Sequence, residues 1–194
     1  MENRKLRAKE SFKNHQATVI LQNEQFFIVD WRNKNGFGEY AVRYILDIKK
    51  GNFIVTGDLG DSVASWYNTV TPDKLKIYVK DIGYYMSKFQ CTSDDYTYAW
   101  KDIVSDLDDI RKEVLDNECL FVDEVNEDFK QMKSILEDLD ISESRNYPKE
   151  LTDLFEKYNE DWWESGFTNL GCRISQRVVL WSVGYQMACE QIGI

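Results

Sequence analysis

The stretch Phe53-Ile54-Val55-Thr56-Gly57-Asp58-Leu59-Gly60-Asp61 constrains this chain most, because an apolar strand runs straight into a glycine-flanked turn and the chain changes character there. Before it, apolar residues alternate in short runs. After it, they recur at helical spacing. Gln16 to Gln22, Gln25 to Arg32, Tyr40 to Ile48 and Phe53 to Thr56 read as four strands. In the third, Val42, Tyr44 and Leu46 alternate with Arg43, Ile45 and Asp47, which predicts one buried face and one mixed face. The connections at Asn23-Glu24, Asn33 to Gly38 and Lys49 to Asn52 are too short for parallel crossovers, so the strands form an antiparallel meander. Val63 to Tyr67 reads as a last strand or one helical turn.

Thr71-Pro72-Asp73 then starts a helix, with Thr as cap and Pro in the first turn. Its stripe of Leu75, Tyr78, Val79, Ile82, Met86 and Phe89 predicts one helix, weakened at Gly83. Further helices are expected over Tyr98 to Asn117, Asp123 to Asp140, Pro148 to Asn159 and about Ile174 to Gln191. The last is apolar around much of its circumference and is expected to be the central buried helix. The fold class is α+β, an antiparallel sheet of about four strands followed by about five helices packed on it. The 194 residues read as one domain: a basic arm over 1 to 14, a loose segment or one or two helical turns; a sheet part over 15 to 70; an acidic helical part over 71 to 194.

Charge divides the chain. Residues 1 to 90 hold 14 Lys/Arg and 10 Asp/Glu, a net of +4, while residues 91 to 194 hold 10 and 24, a net of −14. Carboxylates crowd two predicted helices: Asp106, Asp108, Asp109, Glu113 and Asp116 on one, Asp123, Glu124, Glu127 and Asp128 at the start of the next. They read as solvated helix faces or as a surface that competes with nucleic acid for a basic groove. Either way, the charge argues against broad binding of DNA or RNA by this chain. Trp162 and Trp163 do not both face inward easily on a regular element, so either one is an exposed interface anchor or both pack in an irregular loop.

Catalytic signatures are sparse. His15 is the only histidine, so a multi-histidine metal centre is excluded; it lies in a polar segment and is expected at the surface. No phosphate-loop or dinucleotide-binding motif occurs, and no helix start follows the glycines of Asn35-Gly36-Phe37-Gly38. Gly57, Asp58, Gly60 and Asp61 form the best local candidate. Asp58 and Asp61 could supply hard oxygen ligands to Mg²⁺ or Ca²⁺, or simply belong to a strand-ending turn. Cys91, Cys119, Cys172 and Cys189 are widely spaced and read as free thiols of a reducing cytoplasm. No segment reads as a signal peptide or membrane span.

The stretch Gly51 to Gly60, taken with Val179-Leu180-Trp181-Ser182-Val183-Gly184-Tyr185, resembles a family of small phage and prophage proteins. In that family an apolar strand ends in Gly-Asp-Met/Leu-Gly and the chain finishes on an aromatic-rich helix. The resemblance touches residues 15 to 67 and 178 to 191 and leaves the acidic middle uncovered. This chain has Lys49-Lys50-Gly51 where members often have Trp-Pro-Gly, and a more apolar second strand. The resemblance implies mobile-element origin and brings no catalytic residues. The expected function is therefore a non-enzymatic accessory protein that binds a host protein in the bacterial cytoplasm, without cofactor or metal. An inhibitor of a nucleic-acid-binding defence effector, such as a CRISPR effector, fits best, with the acidic helices and the Trp162-Trp163 region in contact. A second copy of the chain stays open as a partner. The alternative is a small metal- or nucleotide-binding enzyme with its site at the Gly57 to Asp61 turn.

Overall fold

The structure is a computed structural model that describes residues 1–36, 39–117, 121–139 and 147–194. Phe37, Gly38, Cys119 and Asp140, which enter the expectations above, lie outside the described residues. The chain forms two compact units, Met1–Asp95 with Ile174–Ile194, and Tyr96–Arg173. Its class is α+β, with a six-stranded antiparallel sheet and seven α-helices among the described residues.

In the first unit the strands are β1 (His15–Gln22), β2 (Phe26–Asn33), β3 (Val42–Asp47), β4 (Asn52–Gly57), β5 (Ser62–Ser65) and β6 (Phe89–Thr92), hydrogen-bonded in that order. Its helices are α1 (Glu2–Ser11), α2 (Pro72–Lys80), α3 (Ile82–Met86) and α7 (Gln176–Gln191). Local chemistry sets the turns. The Asn23 carboxamide oxygen accepts the N–H groups of Gln25 at 2.8 Å and Phe26 at 2.7 Å, which folds β1 back on β2.

Alternation then sorts the side chains. Phe27, Val29, Trp31, Val42, Tyr44, Leu46, Phe53 and Val55 are buried in one core with Trp181 and Tyr185 of α7. α7 buries residues around its whole circumference, from Val178 to Cys189. Two hydroxyls inside this core find partners: that of Tyr44 donates to the Trp181 carbonyl at 3.2 Å, and that of Ser182 to the Val79 carbonyl at 2.6 Å. The opposite sheet face carries an in-register row of Leu21, Ile28, Ile45, Ile54, Val63 and Cys91, none of which belongs to that core.

Three expectations change. The sheet has six strands, not four, since Ser62–Ser65 pairs with β4 and Phe89–Thr92 pairs with β5. The helix expected from Thr71 to Phe89 breaks at Asp81, whose backbone is extended and whose carboxylate caps the Tyr84 N–H at 3.0 Å. That break frees Phe89 to enter the sheet. The N-terminal segment is a ten-residue helix, anchored because Ala8 and Phe12, one turn apart, are both buried in the core.

The second unit holds α4 (Trp100–Asn117), α5 (Val122–Glu137) and α6 (Lys149–Tyr158) and two 3₁₀ turns, Trp162–Glu164 and Gly166–Asn169. Strands β7 (Tyr96–Tyr98) and β8 (Cys172–Ile174) pair as a ribbon where the chain leaves the first unit and returns. Ile103, Leu107 and Val114 of α4, Val125, Phe129, Met132 and Leu136 of α5, and Leu151 and Phe155 of α6 make a separate core with Phe167 and Leu170. Cys91, Cys172 and Cys189 are free thiols. Among the described residues no helix is long and apolar enough to cross a membrane.

Candidate functional site

The second unit carries the charge: residues 96–173 hold 9 Lys/Arg against 21 Asp/Glu, a net of −12. On α4, Asp102, Asp106, Asp109, Glu113 and Asp116 follow one another at spacings of three or four. That spacing lines them up in one stripe along the helix. The stripe holds an internal cation at its start. Arg173 grips Asp106 with two guanidinium N–H groups, at 2.6 and 2.9 Å, and its Nε lies 3.7 Å from Asp102. The Gly171 N–H donates to the same Asp106 carboxylate at 2.8 Å. The Arg173 hydrogen bonds hold the Asp106 carboxyl below the usual carboxylate range, outweighing its partial burial.

Other carboxylates singled out in the sequence are tied within the unit. Lys133 donates to Asp108 at 2.7 Å, joining α5 to α4. Lys157 of α6 donates to Glu124 at 2.7 Å and also to Asp128, which accepts the Tyr158 hydroxyl at 2.6 Å. These two carboxylates raise the Lys157 ammonium above its ordinary range. Asp109 and Glu127 pair only with Lys112 and Lys130 three residues away, on exposed surface, where such pairs contribute little. Glu113 and Asp123 are exposed and form no ion pair among the described residues.

Beside Glu113 the surface opens into a cleft of about 440 Å³. Ile110, Val114 and Phe167 supply apolar walls, and Glu113, Tyr158, Asn159 and Ser165 also line it. The tryptophan pair divides. Trp162 packs on Phe155 at 5.5 Å and Tyr147 at 6.1 Å between ring centroids, while Trp163 is 53% exposed and meets Trp162 edge-on.

The Gly57 to Asp61 turn is built into the sheet. Gly57 has φ of 136°, and a Cβ there would lie 2.2 Å from the Ala41 carbonyl oxygen. The Asp58 N–H donates to that oxygen at 2.9 Å, and the Ala41 N–H returns a 2.9 Å bond to the Asp58 carboxylate. On the far side, the Asp61 N–H donates to the Ser93 hydroxyl at 3.0 Å. Asp58 lines a depression with Arg32, Arg43 and Thr56, whereas Asp61 lines another with Val63, Cys91 and Ser93. The two carboxylates thus serve different depressions. Among the described residues no group of three or more His, Cys, Asp or Glu could hold a metal ion.

No family model, curated protein or solved structure matches this chain.

His15 corrects the expectation of a surface histidine: it is 4% exposed, against Phe12 at 4.8 Å and Trp31 at 5.5 Å between centroids. Its Nε2 faces the carbonyls of Glu39 at 3.2 Å and Tyr40 at 3.3 Å, so that nitrogen carries the proton. Burial is the largest influence on the imidazole and lowers its pKa. Sequence reasoning also passed over Phe121, 81% exposed, and its exposed neighbour Val122 at the start of α5. The available signal was two adjacent apolar residues just ahead of an acidic first turn, outside the helix's buried stripe.

Proposed function

We propose that this chain acts by binding a protein, with the acidic helical unit as its contact surface and a Lys/Arg-rich surface on the partner. One observation carries the reading. Lys112, Lys130, Lys133, Lys149, Lys157 and Arg173 each meet a carboxylate of their own unit, yet 21 acidic residues against 9 basic ones leave a large surplus. Glu113, Asp116 and Asp123 belong to that surplus and are exposed. A helical scaffold holds them in a fixed array. Such an array attracts a basic groove over a distance set by ionic strength and competes there with phosphates. Exposed Trp163 and Phe121 add the apolar contact area that anchors protein interfaces.

In its fullest form the proposal is an inhibitor of a nucleic-acid-binding defence effector in a bacterial host, in keeping with the resemblance to phage proteins. The alternative, a metal or nucleotide site on Asp58 and Asp61, is not adopted, because the two residues line different depressions and belong to no group of three or more metal-ligating side chains among the described residues.

The test is capture of the partner from host lysate, followed by binding measurements on charge-reversed protein. Glu113→Lys, Asp116→Lys and Asp123→Lys together are expected to weaken binding at least about tenfold, with Glu24→Lys in the first unit as control. Binding indifferent to the triple reversal would overturn the proposal. Asp106 and Asp128 are left intact, since their substitution would break ties within the fold.

A further inference from the structure

We propose that the cleft beside α4 seats an arginine side chain of the partner, taking the place on the acidic stripe that Arg173 takes two turns earlier. This inference rests on the protein-binding reading above and names the group recognised. Asp106 and Glu113 are seven residues apart on one side of α4, about 10 Å along its axis. At Asp106 the unit supplies its own guanidinium, held at 2.6 and 2.9 Å. At Glu113 it supplies none among the described residues, and there the cleft opens.

The walls fit the stem of such a side chain. Ile110, Val114 and Phe167 give the cleft an apolar part along which a run of methylenes can lie, and Glu113 in the same lining meets the cationic head. Several polar atoms of the lining are already engaged within the unit. The Ser165 hydroxyl donates to the Trp162 carbonyl at 2.6 Å, and the Asn159 carboxamide accepts the Asp161 N–H at 2.9 Å. The Tyr158 hydroxyl donates to Asp128 at 2.6 Å. An apolar stem with a cation at its tip matches this arrangement, whereas an anion meets a net charge of −12 over residues 96–173. A guanidinium is more weakly hydrated than an ammonium and forks onto a carboxylate, as Arg173 does, which favours arginine over lysine.

The experiment titrates the full chain with Nα-acetyl-arginine amide and follows the backbone amide resonances of Gly166 and Phe167. Binding is expected at about millimolar strength, the range open to so small a ligand. Nα-acetyl-citrulline amide, of the same shape without the charge, is expected to bind at least tenfold more weakly. Glu113→Gln should weaken arginine binding at least tenfold, and Glu24→Gln, an equal charge change elsewhere, less than twofold. Silence of the cleft resonances, equal binding of citrulline, or an unchanged Glu113→Gln variant would each overturn the inference. Partner binding separates this from the broader proposal. If it is lost on Asp116→Lys with Asp123→Lys but kept by Glu113→Gln, only the cleft assignment falls. If it ignores every reversal while arginine amide still seats in the cleft, the protein-binding reading falls and the cleft keeps only its selectivity for a guanidinium.

Discussion

Single residues show how little a sequence neighbourhood says about burial. His15 sits between Asn14 and Gln16, yet Phe12, folded back by α1, closes over it. Its lowered pKa fixes the sign of its effect on stability. The folded protein binds a proton at His15 less readily than the unfolded chain does. This contribution is therefore fully present above the unfolded value of about 6.5 and is lost as pH falls below it. Chemical denaturation at pH 7.5 and pH 5 should show stability dropping more in the wild type than in His15→Gln; equal drops would show that His15 is not the group responsible. Asp106 has the usual carboxylate sign. Its lowered pKa stabilises the fold above about pH 4, and that stabilisation is lost on acidification through the folded value. Asp106→Asn should cost about 1–2 kcal/mol at neutral pH, reduced from a fully buried case by partial exposure, and less near pH 3. Urea denaturation at both pH values checks it.

Two helical glycines look alike in the sequence and should respond with opposite signs. Gly184 lies in α7, where a Cβ would meet the Tyr44 hydroxyl oxygen at 2.3 Å and a Phe12 ring carbon at 3.1 Å. Alanine improves helix propensity by about 1 kcal/mol, but overpacking costs about 1–3 kcal/mol, and the Tyr44 bond to the Trp181 carbonyl is displaced with it. Gly184→Ala should therefore lower the melting temperature. Gly83 lies in α3, and the nearest atom to its Cβ position is a carboxylate oxygen of Asp81 at 3.6 Å. Gly83→Ala should stabilise by about 0.5–1 kcal/mol. A calorimetric comparison of the two variants tests both signs. The same elements mark where periodicity stopped being informative. Phe89 continues the spacing of Met86 and Ile82, so helical periodicity alone carries the helix past its end. What stops it is the extended backbone at Asp81 and the strand pairing of Phe89 with Ala64, a partner 25 residues away.

For the whole chain, the decisive property is that charge and sheet belong to different stretches. Unit Tyr96–Arg173 carries −12, which leaves the remainder at +2. Like charges so dense repel one another, and salt screens them. Raising NaCl from about 0.05 to 0.5 M shortens the screening length roughly threefold and should slow amide exchange in 96–173 more than in the sheet. Equal slowing in both would mean that the surplus acid does not strain its unit.

The α+β class, the first four strands, α4 to α7 and the burial of α7 were legible without coordinates. They rest on local causes, namely side-chain periodicity, turn chemistry at Asn23 and capping at Thr71. The charge division was equally plain, because it is a count along the chain. Other features depended on contacts between distant residues. β6 exists because β5 offers an edge, and His15 is buried because α1 folds over it. Asp106 is tied into its unit because Arg173 reaches it from 67 positions away. The acidic stripe therefore read as uniform in the sequence and is not uniform in the fold. Its first half is partly neutralised by Arg173, and further along Glu113 lines an open cleft. Composition sets how much charge a segment bears, but only packing decides which charges already have partners.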